Sequence, residues 1–317
     1  WRNIWRNKRR TLITLSSIGF AVFFACIMQS MQRGAYERMI DNTVRFSTGH
    51  IQIHANGYWE EKIIDKSLPW NEAGNIAKLT SQLPEIRAIA PRLESFALAS
   101  YGEKTKGVML AGVDPSKEEA ITRLSAKITD GEYLTEGPGL LIGKGLAEFL
   151  RMSAGDTLVL ISQGYHGVCA AGKYAVKGIV RFPSPVFNQQ AVFMTLPEAQ
   201  YFYGAEGLVT SLSLLLEESD DVKKIRKHLA NNLDPETYEV MTWQEMMPEL
   251  VQSIVLDYYS GMIIIFILYA VIAFGIFGTF LMMTKERTYE FGILTAIGMK
   301  KWKIQVMVGL EILMLIL

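Results

Sequence analysis

Two stretches of this sequence, residues 11–32 and 258–284, carry no charged side chain. Each is long enough to cross a hydrocarbon core of about 30 Å as a helix, which takes about 20 residues. Core helices of soluble proteins seldom run so far without charge, so both read as membrane spans. A cleaved signal sequence fits the first one poorly. Its apolar run exceeds an h-region of about 7–15 residues and lacks a small-x-small cleavage site.

Charge orients the spans. Residues 1–10 hold five basic side chains and no acidic one, which places this end in the cytoplasm. Trp1 and Trp5 stand one helical turn apart, as in an interfacial helix with its rings at headgroup level. Basic residues return after the second stretch at Lys285, Arg287, Lys300, Lys301 and Lys303. The region between therefore lies on the opposite side. A third apolar run, 304–317, is too short to span by itself, so the sequence reads as ending inside a third transmembrane helix.

The expected organisation is an interfacial helix at 1–10, a span at 11–32, an outer domain at 33–257, a second span at 258–284, a cytoplasmic helix at 285–303 and the start of a third span at 304–317. The 32 basic and 32 acidic residues balance, which gives no reason to expect a nucleic-acid partner.

Within the outer domain, β-branched or alternating runs predict strands at 50–55, 86–101, 106–113, 157–162, 174–181, 191–195, 210–216 and 239–242. Helices are expected at 71–82, 116–126, 144–150, 197–203 and 220–231. The fold class is thus an α-helical membrane protein with an inserted α+β domain containing a mixed sheet, with two transmembrane helices and the start of a third. Met28, Met31, Ala35, Met39, Thr43 and Phe46 recur at helical spacing, extending the first span outward as a stalk. Trp243, Met247, Leu250, Ile254 and Tyr258 predict a matching stalk on the return.

Catalytic and metal chemistry finds little support. In Gly137-Pro138-Gly139-Leu140-Leu141-Ile142-Gly143-Lys144-Gly145, a phosphate loop would need glycine at Pro138 and a hydroxyl at Gly145. His50 and His54 share a strand face but lack an evident third ligand, which favours a surface or packing role. His166 and Cys169 lie in a glycine-rich loop with no evident carboxylate to orient the histidine. Cys26 and Cys169 are too far apart in this organisation to pair, so both are read as free thiols. The chain is expected not to be an enzyme and to bind no metal.

Residues 283–299 place charge, an apolar face with small residues, and then basic residues between two apolar runs. Phe291, Leu294 and Ile297 can form one face of a short amphipathic helix, which either turns the chain or inserts into a partner. Here the sequence resembles ABC transporter permeases of the MacB/LolE/FtsX type. Arg287, Glu290, Phe291, Gly292, Ile293, Leu294, Ala296, Ile297 and Gly298 match that family's motif, with Thr295 where arginine is common. The basic residues before the first span, and Leu141-Ile142-Gly143, Leu146-Ala147, Leu150 and Gly155-Asp156 in the outer domain, are similar as well.

The resemblance implies an inner-membrane protein with four spans, a periplasmic core domain, and a dimer with a second copy or a homologue. It also implies a separate cytoplasmic ABC ATPase that binds ATP and magnesium and docks at Arg287, Glu290, Phe291, Gly292, Leu294, Ala296, Ile297 and Gly298. ATP-driven motion would pass through the stalks to work on lipoproteins or another lipidic cargo outside. MacB-like efflux and FtsX-like control of a cell-wall hydrolase are the alternatives. Met28, Met31, Met39, Met246 and Met247 are either an acyl-chain surface or ordinary stalk packing. Tyr165, His166 and Val168 occupy the hairpin that lipoprotein-releasing relatives present to a periplasmic carrier, but without that hook's proline and arginine residues.

Overall fold

The computed structural model describes residues 8–135, 137–182, 184–218 and 221–316. Trp1 and Trp5, and with them most of the expected interfacial helix, lie outside the described residues. The chain divides into two compact units: Arg38–Pro248, and Trp1–Glu37 together with Glu249–Leu317.

The strands in chain order are β1 (Ile51–Ala55), β2 (Leu68–Pro69), β3 (Ile86–Tyr101), β4 (Lys104–Val113), β5 (Ile128–Gly131), β6 (Leu140–Gly143), β7 (Thr157–Gln163), β8 (Cys169–Val180), β9 (Ala191–Thr195), β10 (Leu208–Val209), β11 (Ser211–Leu216) and β12 (Tyr238–Thr242). The helices are α1 (Lys8–Ser47), α2 (Tyr58–Glu61), α3 (Trp70–Thr80), α4 (Pro115–Thr122), α5 (Lys144–Leu150), α6 (Pro185–Gln190), α7 (Leu196–Tyr203), α8 (Val222–Asn232), α9 (Trp243–Met246), α10 (Pro248–Glu286), α11 (Thr288–Ala296) and α12 (Lys301–Ile316).

Arg38–Pro248 combines two sheet motifs. Strands β12, β1, β11 and β3 lie side by side in that order, all antiparallel. With α3 between β1 and β3, and α8 between β11 and β12, this is a split βαβ arrangement of the ferredoxin-like kind. The chain between β3 and β11 is an insertion, and it builds the second motif. Strand β3 continues beyond Arg92 to pair with β4, which pairs with β9, then β6, β8 and β7; β7 returns to β3. Six strands thus close on themselves, and closure removes free edges. The parallel pairs are β4–β9 and β6–β8, so the sheet is mixed as expected.

One face of the four-stranded motif is apolar: Ile51, Ile53, Leu212, Leu214 and Val240 join the main core. The alternate residues, His50, Gln52, His54, Ser211, Ser213 and Arg92, are polar yet equally buried. Period-two patterning would place them in water. Other elements cover them instead. Helix α4 brings Glu118 to Arg92, with Nε–Oε2 at 3.0 Å and Nη2–Oε1 at 2.7 Å. Arg92 Nη1 also donates to the Ser47 carbonyl at the end of α1, the Trp59 ring stacks on His54, and the Tyr58 ring lies tilted beside it.

The expected return stalk differs. A capping box at Thr242 and Glu245 starts α9, but the helix stops at Met247 (φ −128°, ψ 59°) before α10 begins at Pro248. The residue ahead of a proline is pushed out of the helical region, so Trp243 and Tyr258 do not share one helix.

In the other unit, α10 is, among the described residues, the one helix long and apolar enough to cross a membrane. It contains the whole second charge-free stretch. The first lies in α1, where Phe20, Phe23, Phe24 and Met28 are exposed. The helix expected to begin at 304 begins at Lys301 as α12.

Candidate functional site

The resemblance motif forms a corner between α10 and α12. Helix α10 ends at Glu286, and Arg287 turns the chain with φ −102° and ψ 8°. Its Nε donates to Glu290 Oε2 at 3.0 Å, and its guanidinium lies 5.3 Å from the centre of the Phe291 ring. Glu290 sits in the first turn of α11, where a carboxylate complements the helix dipole. Arg287 is only 9% exposed, so its part in this corner is positional. At the other end Gly298 takes φ +100°, a backbone region that favours glycine. There the Gly298 and Met299 amides donate to the carbonyls of Thr295 and Leu294, closing the helix.

This geometry redistributes the face expected from sequence. Phe291 and Leu294 are half-buried, whereas Ile297 is exposed. The exposed apolar stripe is Tyr289, Ile293 and Ile297, spaced four residues apart, with Gly292 and Ala296 open beside it. Tyr289 and Ile293 were not picked out as docking residues by the sequence. Counting i, i+4, i+8 from Tyr289 would have found them. Such a stripe sets large side chains over small neighbours.

The methionines separate into two environments. Met28, Met31 and Met39 on α1 are exposed. Met246 is buried and Met247 is half-buried, its Sδ 3.5 Å from Ser47 Oγ, so Met246 offers no open acyl-chain surface and Met247 only part of one.

The hairpin residues Tyr165, His166 and Val168 fall between β7 and β8, as expected. Val168 is 56% exposed, and the rings of Tyr165 and His166 lie 3.9 Å apart. The loop is tied down: the His166 amide donates to Asp65 Oδ1 at 2.7 Å, with His166 Nδ1 at 3.8 Å from the same oxygen. Asp65 is thus a carboxylate beside His166 that the sequence, in which the two positions stand 101 apart, did not reveal. Cys169 is exposed. His50 and His54 both pack inside the domain: His50 Nδ1 accepts from the Leu216 amide, and His54 is fully buried.

The chain is similar to known proteins over nearly its whole length. Residues 11–232 match the MacB-like periplasmic core domain, and residues 262–317 match the FtsX-like permease C-terminal part. The lipoprotein-releasing system transmembrane protein LolC of Neisseria meningitidis is 22% identical across 91% of this chain and 69% of its own length. The corresponding protein LolE of Haemophilus influenzae is 22% identical across 94% of this chain and 73% of its own. Among solved structures, the periplasmic region of MacB from Actinobacillus actinomycetemcomitans superposes with a TM-score of 0.44 at 13% identity, covering 64% of this chain and 92% of that one.

Proposed function

This chain belongs to the permease family that joins a MacB-like periplasmic core domain to an FtsX-like C-terminal part, and from that premise we propose that it releases lipoproteins from a bacterial inner membrane. In this reading α1 and α10 cross the bilayer, and Arg38–Pro248 works on the periplasmic side. A separate ATPase subunit docks on the Tyr289–Ile293–Ile297 stripe and binds ATP and magnesium, and a second permease completes a dimer. The chain itself carries out no bond chemistry.

The mechanism is mechanical linkage. ATP can shift the outer domain only if the ATPase contacts α11 differently in its two states. The Arg287–Glu290 bond fixes the first turn of α11, which follows α10 after the single residue Arg287, so a displacement of α11 is passed to α10 rather than absorbed by a loop. Helix α1 runs without a break to Ser47, where Arg92 grips its last carbonyl. The lipoprotein assignment is supported by relatives named for lipoprotein release that align with 91% and 94% of the chain.

The test is reconstitution of the full-length permease and its ATPase in proteoliposomes loaded with an acylated lipoprotein. ATP-dependent release to an acceptor, lost on Tyr289→Asp with Ile293→Asp, is the expected result. ATP turnover with no release, accompanied by activation of a wall hydrolase or delivery of cargo to an outer duct, would move the protein to the signalling or efflux class.

A further inference from the structure

The closed ring of strands leaves one edge open in the four-stranded motif. Strand β3 pairs with β11 along one edge from Ile86 to Arg92, while β4 covers its other edge only from Arg92 onward. Over Ile86–Pro91, no strand among the described residues occupies that second edge. Backbone groups of an extended strand alternate between its two edges, so this stretch, beyond the Ile86 amide that donates to the Leu83 carbonyl, presents peptide groups with no strand partner. Helix α3 lies alongside, and the two are separated by a cleft of about 810 Å³.

Three properties of the cleft specify an occupant. Its length is that of six strand residues, roughly 20 Å at about 3.3 Å per residue. Its helical wall is smooth: Gly74 faces it, and a Cβ added there meets nothing within 4 Å. Its charge is of one sign, since Lys78, Arg87 and Lys117 line it and no carboxylate does among the described residues. Arg87 reaches Glu217 and Lys117 reaches Asp114, each at 3.5 Å, but all four side chains are at least 31% exposed. Exposed pairs of this kind contribute little and are readily exchanged for a better partner. Trp70, 42% exposed with the Lys117 ammonium 5.6 Å from its ring, adds an aromatic rim.

We propose that this cleft takes up an extended acidic segment of another protein, which adds to the open edge of β3 as a further strand. Main-chain pairing supplies the affinity of such additions, and side chains on alternate positions supply the selectivity. Open edges are hazardous unless guarded, and proline and cationic residues are common guards. Arg87 and Pro91 act in that way here: Pro91, which has no N–H, stands where the cover by β4 stops, and Arg87 selects strands that carry carboxylates. The assignment is independent of what the machine releases, so it can fail while the lipoprotein reading stands.

The experiment uses the full chain in lipid nanodiscs and a fluorescein-labelled heptapeptide, Val-Glu-Val-Glu-Val-Glu-Val, with a lysine-for-glutamate counterpart. Fluorescence anisotropy is expected to show the acidic peptide binding at least roughly tenfold more tightly than the basic one. Amide hydrogen exchange within Arg87–Ala90 should slow when it is bound. Gly74→Trp fills the cleft and should weaken binding by roughly tenfold or more, while Gly74→Ala leaves it unchanged. Lys78→Glu with Lys117→Glu, both at the exposed rim, should reverse the charge preference, and this decides the matter if Gly74→Trp fails to fold. No binding of the acidic peptide, equal binding of both peptides, binding without slowed exchange at β3, or an unaltered preference in the charge-reversed variant would each overturn the proposal.

Discussion

Arg92, buried in the middle of β3, donates from Nη1 to the carbonyl oxygen of Ser47, the last residue of α1, at 2.6 Å. The same guanidinium is bidentate to Glu118, which is itself fully buried, and lies 3.3 Å from Glu94. A cation at a helix C-terminus satisfies carbonyls that have no partner inside the helix. One side chain therefore joins the end of the long helix, the sheet and α4.

Removing one member of this cluster strands the other. Arg92→Ala is expected to lower the stability of the outer domain by about 3–5 kcal/mol, because a buried carboxylate loses its counter-charge. Arg92→Met with Glu118→Leu should lose much less, since the pair's desolvation disappears along with its attraction. Thermal unfolding of the purified protein measures both. If the single variant unfolds no earlier than the double one, the pair is not the anchor described.

Substitutions at the corner should separate docking from folding. Tyr289→Asp with Ile297→Asp alters exposed positions, so the melting temperature should hold while co-purification of the ATPase falls roughly tenfold or more. Leu294→Asp should instead destabilise the corner by about 1–3 kcal/mol, because half-buried Leu294 would become an ill-paired carboxylate. Equal behaviour of the two variants would remove the distinction between stripe and packing face.

Stability should fall in mild acid through His54. Burial holds its pKa at about 4, below its ordinary 6.5, against the raising effect of its contact with the Ala55 carbonyl, and Lys62 lowers it further. Glu239, 3.4 Å away but 32% exposed, does not reverse this. The unfolded chain therefore binds the proton more readily. Stability present above pH 6.5 declines as pH falls towards 4 and then levels, by up to about 3 kcal/mol in all. His54→Gln should flatten that part of the unfolding-versus-pH curve; an unchanged curve would assign the dependence to other groups.

Gly112 marks the tightest approach of α7 to the sheet, since a Cβ there would collide with the Ala199 methyl and has backbone beyond it. Gly112→Ala is expected to cost about 1–3 kcal/mol through overpacking, and Gly112→Ala with Ala199→Gly to recover part of it. Chemical denaturation of the parent, the two single variants and the double variant completes the cycle.

Strand β3 at Ile86–Tyr101, β9 at Ala191–Thr195 and α5 at Lys144–Leu150 have the bounds that residue pattern alone predicts. Each is a run whose periodicity is uninterrupted. Strands β5 and β6 escaped notice because four residues give too little alternation, and β6 is buried along its whole length. The return stalk was misread because apolar spacing continues through Met247 while Pro248 breaks the backbone. The corner was legible as a motif, but not which of its side chains face outward, because Arg287 draws Phe291 towards itself.

By itself the sequence determined that residues 258–284 form an apolar run inside one long helix, where β3, β9 and α5 begin, and that the Arg287–Gly298 motif lies between two apolar runs. These properties are local: they depend on neighbours within a few residues along one face. The tertiary structure decided that the polar face of β1 and β11 is buried, that six strands close into a ring, and that the edge of β3 at Ile86–Pro91 stays open. Arg92 meets Ser47 across 45 residues, and β4 meets β9 in parallel with four other strands between them in the chain. Which partner satisfies a buried polar group is set by pairings distant in the chain, and alternation within a strand carries no record of them.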